Sequence, residues 1–329
     1  MNKPNHRDLA RLPLDEVREH LMVHVARMAY QQKMTLTEIA SETGMNRWRV
    51  SKLLQDAHDT GMVRIEIVPR FSRLPETEAR LIERFGLRDA IVVTRSLDSE
   101  HEMERVAQGA GQYLAALQPQ PASVGVSWGH TMSAVAHWLA PQWNDGVTVV
   151  QINGTVALKA SGPRTNDVAE SFARKGNGRY LPLPVPSIVG EKETREVLER
   201  DRIVADVLAA GRRADVLCFS LGKLDLESVL VTSGNVTDKE MTDLISAGAV
   251  GDVLGRFFDA EGRIVDQSLD ERTVGLTLAD VKGHGHTVGI VTGSAKHRAV
   301  LSALRAGYLN VLVTDQDTAE FALESAHER

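Results

Sequence analysis

Cysteine is nearly absent from this sequence of 329 residues, whose only thiol is Cys218. A single cysteine cannot close an internal disulfide and cannot supply a cysteine-based metal cluster, so the sequence excludes both kinds of stabilisation. Cys218 falls inside a predicted strand, where a thiol usually behaves as a small buried hydrophobic group. This sparing use of cysteine is typical of a reducing compartment.

Long apolar runs are missing as well. No run approaches the roughly 20 residues that a membrane-spanning helix needs, and the segment from Met1 to Arg18 is polar and mixed in charge. Hydrophobic residues make up 43% and charged residues 25% of the chain, which is typical of a globular protein. We therefore expect a cytoplasmic protein without a membrane partner.

The motifs of common enzymes are also lacking. The 11 histidines show no metal-ligand spacing, and His284 and His286 lie two apart in a glycine-rich turn. The sequence contains no H-E-x-x-H helix and no Walker motif. We expect no metal, no cofactor and no catalytic residue.

Positive charge is in short supply, since 38 Lys and Arg face 44 Asp and Glu for a formal net charge of −6. Taken whole, this balance argues against nucleic acid as a partner. The average hides two parts, because residues 1–70 hold 11 basic and 9 acidic residues whereas residues 71–329 hold 27 and 35. The first part is net basic and stays a candidate for binding an acidic polymer.

The larger part of the chain, from Ser72 onward, alternates short β-rich runs with helical patterns. Such alternation calls for a mostly parallel sheet with helices on its faces, in which ligands bind outside the carboxyl ends of the strands. The predicted strands are Ala90–Thr94, Ser123–Ser127, Val147–Ile152, Asp215–Ser220, Thr287–Val291 and Asn310–Thr314. The predicted helices are Leu74–Phe85, Met103–Leu117, Thr131–Leu139, Glu193–Ala210 and Ala295–Ala306.

The first 70 residues predict a helix-turn-helix. The run Thr35-Leu36-Thr37-Glu38 is a capping box that begins a helix, and Gly44 suits a left-handed helix C-cap. Asn46 is a good N-cap for a second helix, from Arg47 to about Asp59. The alternating segment Met62–Val68 predicts a strand that would pack as a wing or lead into the linker. The fold class is therefore α/β: a winged helix-turn-helix followed by a doubly wound, Rossmann-like domain.

The second of these helices has a basic exposed side. No acidic residue occurs between Thr43 and Gln55. In a major groove, arginine makes bidentate bonds to guanine, and serine or lysine holds phosphate. The alternative is a solvated helical hairpin with surface arginines. It does not explain why the helix caps, the turn glycine and the segment without acidic residues all occur at the spacing of a helix-turn-helix. The residues expected at double-stranded DNA are Thr35, Asn46, Arg47, Trp48, Arg49, Ser51 and Lys52. With so few basic residues, one copy is expected to bind DNA weakly and in a salt-sensitive way. We therefore expect a homo-oligomer.

A strand-to-helix turn in the larger domain is a candidate anion site. The backbone N–H groups at a helix N-terminus favour an anion, Gly129 permits close approach, and Thr131 supplies a hydroxyl. The same turn could hold only water, as many such turns do. Lys296 lies in an equivalent loop, where it can meet a phosphate as a point charge.

Two further loops offer groups for a sugar. Asn153 and Gly154 follow a strand with an amide and a flexible backbone, which suits sugar hydroxyls. Asp252 and Asp259 bring carboxylates that can accept bonds from vicinal hydroxyls. The alternatives are a helix cap for Asp252 and a turn residue for Asp259.

Several blocks along the chain resemble the SorC family of bacterial transcriptional regulators. The most specific is Gly248–Gly262 (GAVGDVLGRFFDAEG). Arg179–Val185 (RYLPLPV) and Asp270–Gly275 (DERTVG) most resemble the members that answer to deoxyribonucleoside breakdown. The remaining blocks are Val124–Thr131 (VGVSWGHT), Gln151–Thr155 (QINGT) and Gly307–Thr318 (GYLNVLVTDQDT).

The resemblance implies a sugar-sensing domain related to sugar-phosphate isomerases and deaminases, in a tetramer whose DNA contact changes when a sugar or sugar phosphate binds. It places a phosphate at Gly129, His130, Thr131 and Lys296, and a sugar at Asn153, Gly154 and Asp259. The sequence departs from the family at His130, often a small or hydroxyl residue or arginine, and at Thr292–Lys296 (TGSAK), which lacks a carboxylate found in many members. An amide at Asn153 cannot form a Schiff base, so binding is expected to be noncovalent.

We interpret the chain as a DNA-binding transcriptional regulator, a repressor of a sugar catabolic operon. Residues 1–70 would bind operator DNA, and residues 71–329 would bind the effector and assemble a dimer or tetramer. The alternative is an enzyme acting on sugar phosphates, with Asp252 or Asp259 as a base and an accessory DNA-binding domain. Neither carboxylate has a His or Lys partner nearby in sequence, which favours the regulator.

Overall fold

The computed structural model describes residues 14–63, 72–95, 99–156 and 167–326. They fall into two compact units, within Met1–Val68 and within Pro69–Arg329. The division lies two residues from the boundary drawn on composition. Most of the strand predicted over Met62–Val68 lies outside the described residues, and Met62 and Val63 themselves form a bend.

The described part of the first unit is helical. Helix α1 (Leu14–Ala26) runs into a π-helical turn (Arg27–Gln31), and it is followed by α2 (Leu36–Thr43) and α3 (Arg47–Asp59). Apolar residues spaced three and four apart place one side of each helix in a common core. That core contains Met22, Val25, Met28, Ile39, Ala40, Val50, Leu53 and Ala57.

The predicted caps of these helices are confirmed. The Thr35 hydroxyl accepts from the Glu38 backbone N–H at 3.3 Å, and the Glu38 carboxylate accepts from the Thr35 N–H at 2.8 Å. Gly44 ends α2 with φ +69°, a left-handed conformation that glycine adopts without strain. The Asn46 side chain accepts from the Arg49 N–H at 2.8 Å and begins α3. The side chains of Thr35 and Asn46 therefore stabilise the first turns of α2 and α3.

The second unit is built on a seven-stranded parallel sheet in the order β1-β10-β9-β5-β2-β3-β4. A separate antiparallel sheet has the order β6-β7-β8. The strands are β1 Asp89–Val93, β2 Ser123–Val126, β3 Thr148–Gln151, β4 Arg179–Leu181, β5 Val216–Phe219, β6 Leu221–Gly222, β7 Gly251–Val253, β8 Arg256–Phe258, β9 Thr287–Val291 and β10 Val311–Asp315.

Helices cover both faces of the parallel sheet. Side chains alternate along each strand, so Ile91 and Val93 of β1 join one core cluster while Ala90 and Val92 join the other. The helices are α4 Pro75–Phe85, α5 Ser99–Ala116, α6 His130–Trp138, α7 Asp167–Lys175, α8 Lys192–Arg200, α9 Arg202–Arg212, α10 Val229–Thr232, α11 Asp238–Ser246, α12 Gln267–Arg272, α13 Leu278–Lys282, α14 His297–Ala306 and α15 Gln316–Ser325. The prediction of a doubly wound α/β domain is confirmed.

The strand order reverses direction between β2 and β5. From β2 the chain moves outward through β3 and β4, then returns to the other side of β2 with β5 and continues through β9 and β10. Val124 of β2 faces Val149 of β3 on one side and Val216 of β5 on the other. A crevice opens at such a reversal, outside the carboxyl ends of the strands.

Several parts of the fold differ from the prediction, and helices α7, α10, α11, α12, α13 and α15 were not predicted. The helix predicted over Glu193–Ala210 is interrupted at Asp201, which is extended (φ −60°, ψ 134°) and accepts from the Ile203 N–H at 2.9 Å. Strands β4, β6, β7 and β8 were not predicted, because runs of two or three residues show too little alternation to be recognised.

Candidate functional site

A cavity of about 300 Å³ lies at the carboxyl ends of β2, β3, β5 and β9. This is the crevice beside the reversal of strand order. Its wall combines polar groups from the strand ends with apolar groups from the chain that follows β5. It is lined by Met103, Ser127, Trp128, Gly129, His130, Thr131, Asn153, Ser220, Leu221, Gly222, Lys223, Glu227, Ser228, Val229, Leu230, Asp252, Leu254, Gly255, Thr292 and Lys296.

The turn between β2 and α6 forms one side of the cavity. Gly129 caps α6 with φ +131°, a conformation that L side chains rarely adopt, so the turn requires glycine there. Trp128 donates its indole N–H to the Gly154 carbonyl at 2.7 Å and so joins this turn to the end of β3. The first N–H groups of α6 have no intrahelical partner, and they give this side a positive potential.

Asn153 places an unsatisfied amide in the cavity wall. The residue is 2% exposed, and its side-chain oxygen has no hydrogen-bond partner. Its backbone carbonyl accepts from the Gln151 amide at 2.9 Å, and Gln151 in turn accepts from the Tyr180 hydroxyl at 2.7 Å. A buried polar atom without a partner is costly, so Asn153 is suited to accept from a ligand hydroxyl.

An acid and a base, Asp252 and Lys296, both line the cavity. Asp252 of β7 is buried and accepts from the Gly255 N–H at 2.9 Å, and burial raises the pKa of its carboxyl to about 6. Burial lowers the pKa of the Lys296 ammonium to about 8, an effect that the Asp252 charge opposes. The Lys296 amine lies 3.4 Å from the Ser220 hydroxyl. At neutral pH the cavity therefore holds a cation within reach of a ligand anion.

The raised pKa of Asp252 predicts a pH-dependent effect of Asp252→Asn. Because folding raises this pKa from 3.8 to about 6, the contribution of Asp252 to stability is full below pH 4 and is lost as pH rises through 6. The variant imitates the neutral acid. At pH 8 we expect its free energy of unfolding to exceed that of the parent by about 3 kcal/mol, and below pH 4 we expect no difference.

Urea unfolding of both proteins between pH 4 and pH 8 measures this difference. A variant less stable than the parent at pH 8 would show that attraction to Lys296 outweighs the burial of the charge.

The structure brings most of the predicted ligand residues into this one cavity. Those lining it are Gly129, His130, Thr131, Asn153, Asp252 and Lys296. Gly154 lies next to it, with a carbonyl that accepts from Trp128. Asp252 lies in a strand and caps no helix.

Asp259 is not brought to the cavity. Its carboxylate accepts from the backbone N–H groups of Glu261 at 3.0 Å and Arg263 at 2.9 Å, and from the Arg263 guanidinium at 2.9 Å. These bonds hold the pKa of the carboxyl below its ordinary value despite some burial. Asp259 is a turn residue, and the expectation that it contacts a ligand is not supported by its position.

Several lining residues were not selected from the sequence. Ser220 directly follows β5 and Thr292 directly follows β9, so the rule that ligands bind at strand ends could have found both. Lys223 lies on the segment after β6, where it pairs with Asp225 at 2.7 Å. No pattern in the sequence indicates that this segment returns over the cavity.

The exposed face of α3 is the candidate DNA-binding surface. Arg47, Trp48, Arg49, Ser51 and Lys52 are all exposed. Lys52 lies 3.3 Å from the Asp56 carboxylate, which is also bonded to Arg18, so its charge is partly balanced within the unit.

Other kinds of site find no support within the described ranges. In residues 14–63, 72–95, 99–156 and 167–326, no three His, Cys, Asp or Glu side chains are grouped to hold a metal ion. The helices of these same ranges include none that is long and apolar enough to span a membrane.

Known proteins resemble this chain over nearly its whole length. The family model "Putative sugar-binding domain" matches residues 69–324. The deoxyribonucleoside regulator of Bacillus subtilis is 30% identical over 309 residues, which are 93% of this chain and 98% of that protein. The crystal structure of the full-length sorbitol operon regulator SorC from Klebsiella pneumoniae superposes with a TM-score of 0.70 at 26% identity, covering 92% of this chain and 98% of that one. The chain belongs to the SorC family of transcriptional regulators.

A second relative is also named as a transcriptional regulator. The transcriptional regulator LsrR of Klebsiella pneumoniae is 30% identical over 312 residues, 94% of each protein. The resemblance drawn from sequence motifs is therefore confirmed, as is the choice of a regulator over a sugar-phosphate enzyme. The match of a sugar-binding family model to residues 69–324 covers every strand that contributes to the cavity.

Proposed function

We propose that this SorC-family regulator binds operator DNA through α2 and α3, and that a sugar or sugar phosphate in the cavity controls that binding. The unsatisfied amide of Asn153, 2% exposed in the cavity wall, is the observation that carries the proposal. Residues 1–70 act as the DNA-binding domain, and residues 71–329 as the domain for effector binding and oligomerisation.

The cavity favours a ligand with an anionic end and a hydroxylated end. The positive end of α6 and the Lys296 ammonium suit a phosphate, and Asn153 suits a hydroxyl donor. Leu230 and Leu254 line the same cavity and suit an apolar stretch of the ligand. Because a relative is named a deoxyribonucleoside regulator, deoxypentose phosphates are the first compounds to test. Binding is noncovalent at Asn153, since an amide forms no Schiff base.

The assembly is a dimer or tetramer in the cytoplasm, and the protein acts as a repressor. The basic residues of α3 that face solvent are too few for one copy to hold an operator tightly, whereas two or more copies add their phosphate contacts. Effector binding then changes DNA affinity through its different affinities for two arrangements of the assembly.

Calorimetric titration of the full chain tests effector binding. The compounds are 2-deoxyribose 5-phosphate, ribose 5-phosphate, the two free sugars, sorbitol and inorganic phosphate. We expect one phosphorylated sugar to bind more tightly than both its free sugar and inorganic phosphate, and to raise the melting temperature with concentration. Heat from none of these compounds, with no change in melting temperature, would contradict the sensing role.

We expect Arg49→Ala to weaken operator binding by about 1–3 kcal/mol and to relax preference at one base position, because an arginine at this place reaches guanine. Binding of a selected duplex and its single-base variants, measured by fluorescence anisotropy, gives both quantities. Arg27→Ala removes an exposed arginine from the π-helical turn of the same unit and is the matched control. An equal loss of affinity for every duplex would instead indicate that Arg49 contacts a phosphate.

A further inference from the structure

We propose that Trp48 reads the 5-methyl group of thymine in the major groove and so helps to set the sequence preference of the DNA contact. This inference rests on the proposed DNA binding by α3. The first observation is exposure, because Trp48 is 76% accessible, more than any other exposed large hydrophobic residue reported in the described ranges. An indole carries a large apolar surface that gains free energy when it is buried, so its position in water points to a partner surface.

Trp48 lies at the centre of the exposed face of α3. The helix buries Val50, Leu53 and Ala57. At 3.6 residues per turn, Trp48 points away from that buried side, Lys52 follows one turn later along the same line, and Arg47 and Arg49 lie to either side. The indole therefore lies among the basic side chains of Arg47, Arg49 and Lys52, of which Lys52 is paired with Asp56. Such surroundings favour a polyanion over the apolar surface of a second copy.

The place of Trp48 in the helix selects the part of the DNA that it meets. It is the second residue of α3, which begins after the Asn46 cap, and the first residues of a recognition helix reach base edges. In the major groove, the thymine methyl is the apolar group among the hydrogen-bonding groups of the base pairs. An indole at this position gains the most binding free energy when it packs against that methyl group.

Removal of the thymine methyl from the DNA tests the proposal. The full chain first selects a duplex from a random library, and copies are then synthesised with uracil replacing each thymine in turn. We expect one or two replacements to weaken binding of the parent by about fourfold each, as one buried methyl is worth. Trp48→Ala should bind thymine and uracil copies equally at those positions, and Trp48→Phe should keep part of the difference.

Tyr30→Ala is the matched control, since it removes an exposed aromatic side chain elsewhere in the same unit and should leave the thymine preference intact. Full thymine preference in Trp48→Ala, or none in the parent, would overturn the assignment. A change of oligomeric size in Trp48→Ala would overturn it too, by assigning the indole to a second copy. Failure to select any duplex would contradict DNA binding itself, a result distinct from the others.

Discussion

Arg256→Met is expected to lower the free energy of unfolding by about 3–5 kcal/mol, because it strips a buried network of its central donor. Arg256 is 1% exposed and donates to the backbone carbonyls of Leu276 at 2.9 Å and Thr273 at 3.0 Å. It also donates to the backbone carbonyl of Asp270 at 3.0 Å and to its carboxylate at 2.6 Å. Methionine leaves the buried carbonyls of Leu276 and Thr273 without this donor, whereas the Asp270 carbonyl keeps a bond from the Thr273 N–H at 3.1 Å.

The segment that Arg256 holds also supports the cavity. Within it, Val274 accepts from the Gly154 N–H at 3.1 Å, and Leu276 donates its N–H to the Ile152 carbonyl at 2.9 Å. Asn153 lies between these two bonds. The position of the Asn153 amide therefore depends on Arg256, a side chain that does not line the cavity.

Urea unfolding of the full chain measures the loss, and Arg263→Met is the matched control. The Arg263 side chain is 71% exposed, so its salt bridge with Asp259 should contribute little to stability. If Arg256→Met unfolded at the same urea concentration as the parent, the network would not be stabilising. Arg256→Lys should recover part of the loss, since an amine can satisfy some of the carbonyls.

Lys296→Ala is expected to weaken binding of a phosphorylated effector by about 2–4 kcal/mol, roughly 30- to 1,000-fold in Kd. The reason is the position of Lys296, which lines the cavity and is partly buried, so that water screens its charge less than at the surface. The free sugar should lose far less affinity, because it has no phosphate to pair with the ammonium. Calorimetric titration of both ligands into parent and variant gives the two ratios.

A matched control is Lys239→Ala, which removes a lysine whose side chain is 87% exposed on α11. In the parent, affinity for the phosphate ester should fall as pH rises through 8, where the free ammonium loses its proton. Lys296→Arg should remove that fall, since a guanidinium stays charged. Equal losses for the phosphorylated and free sugar would remove the phosphate role from Lys296.

Local chemistry made the small unit predictable. The capping box at Thr35, the turn glycine at Gly44 and the cap at Asn46 each act within four residues, so neighbours in sequence are also partners in space. The same holds for the turn at Gly129, because the order strand, glycine, helix defines an N-terminus by itself. The alternation of strands and helices was enough to predict that the turn at Gly129 and the other strand-to-helix turns lie at one edge of a parallel sheet.

The remaining parts of the site depend on contacts distant in sequence. Asp252 lines the same cavity as Lys296 because the short strands β6, β7 and β8 pair into a sheet of their own, and strands this short show no recognisable pattern in the sequence. Asp259 was misplaced for the opposite reason. Its partner Arg263 lies four residues along, a spacing visible in the sequence, and the pair satisfies itself without a ligand.

Coupling between the cavity and the DNA is the central claim. Its most direct measurement is the affinity of the full chain for its selected duplex, by fluorescence anisotropy, without effector and with the tightest-binding sugar phosphate at saturation. We predict a change of at least about fivefold. Lys296→Ala should bind the duplex normally without effector and should show no change at the same effector concentration. Equal DNA affinity of the parent with the cavity empty and with the cavity saturated would contradict the account.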